Sequence, residues 1–166
     1  MPERYEFVSD RLSNTDSFIL TEILETLPTA IDHLKNRKAG RYQIESERDI
    51  HDLLFLVVKS VFKDARCEEN TRKHASSSKR IDIVIPSVET VLEIKYVRNS
   101  AHAARVADEL FVDFESYYVH KDCHKLIAYI WDQKRLLPDR YNFINDLRGL
   151  RQKGNTRLMV EVMVKP

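Results

Sequence analysis

The sequence predicts an α/β sandwich around a mixed sheet, and three observations predict it. A capping-box pattern, Ser46-Glu47-Arg48-Asp49, opens a stretch with apolar residues at helical spacing. Two short apolar segments, 81–85 and 91–97, are separated by a stretch containing Pro86 and read as an antiparallel hairpin. The run Leu126–Trp131 is apolar throughout, as expected of a strand covered on both faces.

The elements follow in chain order. Residues 17–38 carry Phe18, Ile19, Ile23, Leu24, Leu27, Ile31 and Leu34 near helical spacing, with Pro28 expected to interrupt or kink the run. This reads as an N-terminal helical extension over 1–40, ahead of the main unit over 41–166. The capped helix then presents Ile50, Leu53, Leu54, Val57, Val58 and Val61 as its apolar stripe. The polar stretch 66–80 ends in Ser76-Ser77-Ser78 and reads as a loop, with a strand around 67–70. After the hairpin, 101–119 is helical, 126–131 a strand, 139–149 a short helix and 157–164 a last strand.

Composition narrows the function. The chain has 166 residues, enough for a sizeable core, and 32% charged residues with a net charge of +1, so it is not held to a polyanion by bulk charge alone. Gly40, Gly149 and Gly154 are too scattered for a P-loop or a dinucleotide fingerprint, which excludes the common kinases, ATPases and dehydrogenases. Cys67 and Cys123 have no metal-type or disulfide spacing. The N-terminal residues lack a signal-peptide layout and no apolar run spans a bilayer, so a cytoplasmic location is expected.

The chemistry lies in the hairpin. Glu93 and Lys95 alternate along one strand and share the face of Val91 and Val97. Asp82 interrupts the other strand between Ile81 and Ile83, and a turn over 86–89 sets it across from Glu93. Buried charges are costly unless paired, and two adjacent carboxylates repel unless a cation lies between them. A hard divalent ion suits such oxygen ligands. The competing interpretation is a solvent-facing cross-strand ion pair, and spacing alone leaves both open.

Arg80-Ile81-Asp82 through Leu92-Glu93-Ile94-Lys95 resembles the signature of the PD-(D/E)XK nuclease superfamily, without the proline before the aspartate. The segments 47–54, Glu68-Glu69, 122–127 and Trp131-Asp132 are similar to landmarks of a bacterial restriction or defence-type group within it. The resemblance covers residues 40–166. It implies a restriction-endonuclease-like αβββαβ core and a metal-dependent DNA endonuclease, with Asp82, Glu93 and Lys95 catalytic. It also implies Mg²⁺ as cofactor, with Mn²⁺ as a substitute, held by Asp82, Glu93 and the carbonyl of Ile94. Glu47, on the helical face of Ile50 and Leu54, is expected to point towards the sheet and add a third acid; its alternative role is a first-turn glutamate favoured by the helix dipole. Asp113 and Tyr117, at i and i+4, are similar to a Gln-x-x-x-Tyr element that supports the site in some relatives, with Asp in place of Gln. A nearby cation would lower the pKa of Lys95 and let it orient or deprotonate the attacking water.

Arg72, Lys73, Lys79, Arg80 and Arg98 flank the signature and are expected to contact nucleic acid, most readily DNA. Lys134, Arg135 and Arg140 read as plain surface. A homodimer, or a partner protein of a defence system, is compatible with the resemblance, as is an inactive nucleic-acid-binding or scaffolding module of the same fold.

Overall fold

The computed structural model describes residues 3–35, 43–69, 81–118, 120 and 123–166, leaving out the side chains of 3–13, 35, 68, 69, 81 and 82. A six-stranded sheet runs in the order β1-β2-β3-β4-β6-β5. Its strands are β1 (Arg66–Glu69), β2 (Ile81–Ile85), β3 (Thr90–Tyr96), β4 (Lys125–Trp131), β5 (Gly149–Lys153) and β6 (Thr156–Lys165). β3, β4 and β6 are parallel neighbours, while β1–β2, β2–β3 and β5–β6 pair antiparallel. The mixed α/β sheet is the one the sequence predicts.

Helices cover both faces. On one side lie α1 (Glu3–Lys35) and α2 (Glu47–Val61), whose Leu20, Leu24, Ile31, Ile50, Leu54 and Val58 pack with Ile83, Leu92, Ile94 and Tyr129. On the other lie α3 (Ser100–Ala103), α4 (Val106–Tyr117) and α5 (Arg140–Leu147). Val106, Leu110, Phe114 and Leu147 there meet Val84, Val91, Leu126, Ala128 and Ile130. The parity of β3 therefore decides everything downstream: even-numbered residues face α2, odd-numbered ones face α4.

Local chemistry explains the elements. Ser46 accepts a hydrogen bond from the backbone N–H of Asp49, and the Asp49 carboxylate accepts from the Ser46 backbone N–H at 2.9 Å, so the capping box forms as predicted. The Glu45 N–H also donates to that carboxylate, and chiefly through this bond the Asp49 pKa falls below its ordinary value. The β2–β3 connection is a 3-10 turn over Pro86–Val88 followed by Glu89 at φ 48, which brings Ile83 opposite Leu92. The predicted strand at 67–70 is present as β1.

Four expectations need correction. Pro28 does not break the first helix, which runs unbroken from Glu3; Leu24, Leu27 and Ile31 on either side are buried and hold the turn that lacks one N–H. The helix over 101–119 is two helices, with a turn at Ala104-Arg105. The last strand is a hairpin, because β5 precedes it and turns at Gly154, whose φ of +59 glycine adopts without penalty. Arg140 is not a free surface cation: its Nη2 lies 3.0 Å from a fully buried Asp132 carboxylate.

Candidate active site

α4 presents Leu110, Asp113, Phe114 and Tyr117 as its buried face, a spacing of three and four residues that forms one stripe. Phe114 and Leu110 fill the space against β3 and β4, which brings the two polar members of the stripe against the odd face of β3. Glu93 and Lys95 project from that face and are 1% and 4% exposed.

The four groups join in one chain. Lys95 Nζ lies 2.9 Å from Glu93 Oε1 and 2.8 Å from Asp113 Oδ2. The Tyr117 hydroxyl donates to Glu93 Oε2 at 2.6 Å. An ammonium has three donors, and two of them serve the two acids. Taking an ion pair out of water costs several kcal/mol per ion and is tolerated where geometry and further hydrogen bonds compensate. The solvent-facing ion pair that spacing left open is therefore not what forms: Glu93 and Lys95 are internal.

Position 82 belongs to the same region. The register Ile83↔Leu92 and Val84↔Val91, carried one residue further, sets position 82 beside Glu93. β1 reaches it from the other side, with Glu68 paired to Asp82. Asp82 shares the parity of Val84, which packs on the α4 side. Its side chain lies outside the described residues.

Other predicted site residues are distributed as follows. Ile94 is buried and faces α2, leaving its backbone as the only part relevant to a site on the opposite face. Glu47 is exposed in the first turn of α2, whose buried face packs on the α2 side of the sheet, so its expected orientation towards the sheet is not found. The turn explains this: Ile50 and Leu54 take the inward positions, and Glu47 sits at the solvated end with the dipole. Arg98 is exposed just beyond β3. Arg72, Lys73, Lys79 and Arg80 lie outside the described residues. Among the described residues no three His, Cys, Asp or Glu side chains gather as metal ligands. The oxygen donors that are described, Glu93 and Asp113, are of the hard type that Mg²⁺ and Mn²⁺ prefer.

The sequence marks Asp132 as a family landmark but assigns it no role. It is fully buried at the end of β4 and accepts hydrogen bonds from the N–H groups of Leu136 at 2.8 Å and Leu137 at 3.1 Å, besides pairing with Arg140. An aspartate directly after an apolar strand, with an arginine eight residues on, was the available signal.

A family model of the DpnII–MboI restriction endonucleases matches residues 18–166. The chain belongs to this family. The match reaches back into α1, well ahead of residue 40, where the motif resemblance starts. It agrees with the fold and with the PD-(D/E)XK signature, and it makes the protein a member of a class of DNA endonucleases. No curated protein and no solved structure matches the chain. Among the described residues of this DpnII–MboI family member, no helix is long and apolar enough to cross a membrane.

Proposed function

We propose that this chain hydrolyses DNA phosphodiester bonds with a divalent cation held by Asp82, Glu93 and the backbone carbonyl of Ile94, and that Lys95 is its catalytic cation. The single observation that carries the reading is Lys95, buried between Glu93 and Asp113 beside the register position of an aspartate. Such a costly arrangement has no packing purpose that leucine would not serve better.

A bound Mg²⁺ would polarise the phosphate and make a water nucleophilic at neutral pH. The chain's own groups do the rest. A carboxylate has about four acceptor sites, enough for Glu93 to accept from Lys95 and Tyr117 and also hold a cation. Tyr117 fixes the orientation of that carboxylate, and Asp113 fixes the ammonium. Lys95 then holds its proton-bearing nitrogen where it can orient the attacking water or offset charge gathering on the phosphate oxygens. Glu47 has no part in this set. A role in phage defence fits a restriction-type nuclease.

The test is cleavage of plasmid and single-stranded DNA with Mg²⁺ or Mn²⁺, alongside Glu93→Ala and Lys95→Ala. Metal-dependent nicking lost in both variants supports the reading. Absence of cleavage with either metal sinks it and favours an inactive DNA-binding module.

A further inference from the structure

Among the described residues, several exposed or half-buried cations are tied to acids: Lys153 to Glu115, Lys165 to Glu25, Lys125 to Glu161 and Arg48 to Asp52. Arg98, Arg105, Lys134 and Arg135 are also exposed, and none of the described hydrogen bonds or ion pairs engages their side chains. They share one place in the fold. β3 and β4 are parallel, so their carboxyl ends lie together, and the pairing continues past the strands with the Val97 N–H donating to the Trp131 carbonyl at 2.9 Å. Arg98 follows the first end and Lys134-Arg135 the second. α4 runs back along β3, since Asp113 meets Lys95 while Tyr117, one turn later, meets Glu93. Arg105, at the start of α4, is therefore at the same end as Arg98.

Both loops are held rigidly. His102 Nδ1 accepts from the Arg98 N–H at 3.4 Å and the His102 N–H donates to Asn99 Oδ1 at 2.8 Å, which fixes the turn after β3. Asp132 fixes the loop after β4 through Leu136, Leu137 and Arg140. Within that second loop Arg135 has φ 53, the left-handed region that glycine fills at no cost and arginine seldom does. Glu89, the other non-glycine residue with positive φ among the described residues, closes the β2–β3 turn, and its carbonyl accepts from the N–H groups of His124 and Lys125. Arg135 likewise closes a turn, its N–H donating to the Asp132 carbonyl at 3.0 Å. That turn accounts for the backbone of Arg135 and leaves its guanidinium exposed at the carboxyl end of β4.

Acids at this end are mostly engaged. Glu109 meets His102 at 3.2 Å and Asp139 caps α5 through Asn142, leaving Asp108 and, near Tyr96 on the α2 side, Glu45 as exposed carboxylates nearby. Arg98 lies three residues beyond Lys95, within about 10 Å of it along the chain. Ligands of open α/β sheets gather outside the carboxyl ends of the parallel strands.

We infer that Arg98, Arg105, Lys134 and Arg135 form a phosphate-binding rim at the carboxyl ends of β3 and β4, with Arg135 held in place by the Asp132 loop. The inference rests on the nuclease reading and adds the surface along which the DNA backbone runs.

The experiment measures binding of the full chain to a fluorescent DNA duplex in EDTA, between about 50 and about 200 mM salt, and reads the slope of log K against log[salt]. Arg98→Ala and Arg135→Ala should each reduce the slope by about 0.9, the loss of one phosphate contact. Arg157→Ala, an exposed cation at the opposite end of the sheet, should leave it unchanged. Arg135→Gly, which relaxes the backbone, should keep or raise the melting temperature and still lose the slope, while Arg135→Lys should retain most of it. Slopes for Arg98→Ala and Arg135→Ala equal to that of Arg157→Ala would overturn the rim. Wild-type cleavage of plasmid alongside that result would leave the nuclease reading intact; a wild-type chain that neither binds nor cuts DNA overturns both.

Discussion

Lys95 Nζ and Asp113 Oδ2 sit 2.8 Å apart across the junction of β3 and α4, both inside the protein. The contact joins a strand residue of the nuclease signature to a helix that follows it in sequence, and it brings α4 into the proposed site. Asp113→Asn keeps the size of the side chain and removes its charge. Cleavage should fall about 10–100-fold, the range found for partners that orient a metal-site residue, with duplex binding little changed. Asp113→Ala should also lower stability, towards the roughly 3–5 kcal/mol typical of breaking a buried pair. Chemical denaturation and single-turnover cleavage measure the two effects separately. Unchanged cleavage in Asp113→Asn would remove Asp113 from the site.

Tyr117 orients Glu93 through one hydrogen bond of 2.6 Å. Tyr117→Phe leaves the ring in the α4 stripe and deletes only the donor. A hydrogen bond to a charged acceptor contributes about 1.5–3 kcal/mol, so the melting temperature should drop measurably while the fold persists. Cleavage should weaken too, because the carboxylate gains freedom to rotate. A variant with wild-type melting and cleavage would show that Glu93 needs no such partner.

Much of this was legible in the sequence, for a physical reason. Glu93, Lys95 and Asp82 are charges inside apolar strands, and the period of two fixes which of them share a face. The capping box at Ser46 and the helical stripe Ile50, Leu54, Val58 were equally explicit. β5 was not legible: Arg151, Gln152 and Lys153 form an edge strand with little burial, so no alternation marks it, and only Gly154-Asn155 hinted at a turn. Glu47 misled because burial on α2 begins only at Ile50, and the helix's first residue, one turn earlier, is left at the solvated end. The break between α3 and α4, at Ala104-Arg105, carries no proline or glycine to announce it. Asp113 and Tyr117 carried the right spacing, but their partners lie 18 and 24 positions away in sequence, a distance no local pattern encodes.

Acid should act on α2 through Asp49. Hydrogen bonds, that of the Glu45 N–H first, hold the Asp49 pKa below its ordinary value. A depressed folded pKa stabilises the fold above the unfolded value of about 3.9, and this contribution is lost as pH falls through the lower folded value. Asp49→Ala should therefore cost about 1 kcal/mol at neutral pH, the usual contribution of a helix cap. The gap between wild type and variant should close below about pH 4. Urea titrations at pH 7 and at pH 3 measure it, and a gap that widens in acid would contradict the assignment.

Glu47 offers a test of the opposite kind. Its side chain is exposed on a helix that packs against the face of the sheet away from Glu93. Glu47→Ala should leave metal-dependent cleavage within a few-fold of wild type. A loss comparable to that of Glu93→Ala would return this acid to the catalytic set.

The claim beneath all of these is that Glu93 and Asp82 bind a divalent cation. Calorimetric titration of Mn²⁺ into the wild-type chain, Asp82→Ala and Glu93→Ala tests it without depending on catalysis. Saturable binding in the wild type that disappears in both variants, with each variant still folded by circular dichroism, is the expected result. Equal Mn²⁺ binding by wild type and Glu93→Ala would contradict the account.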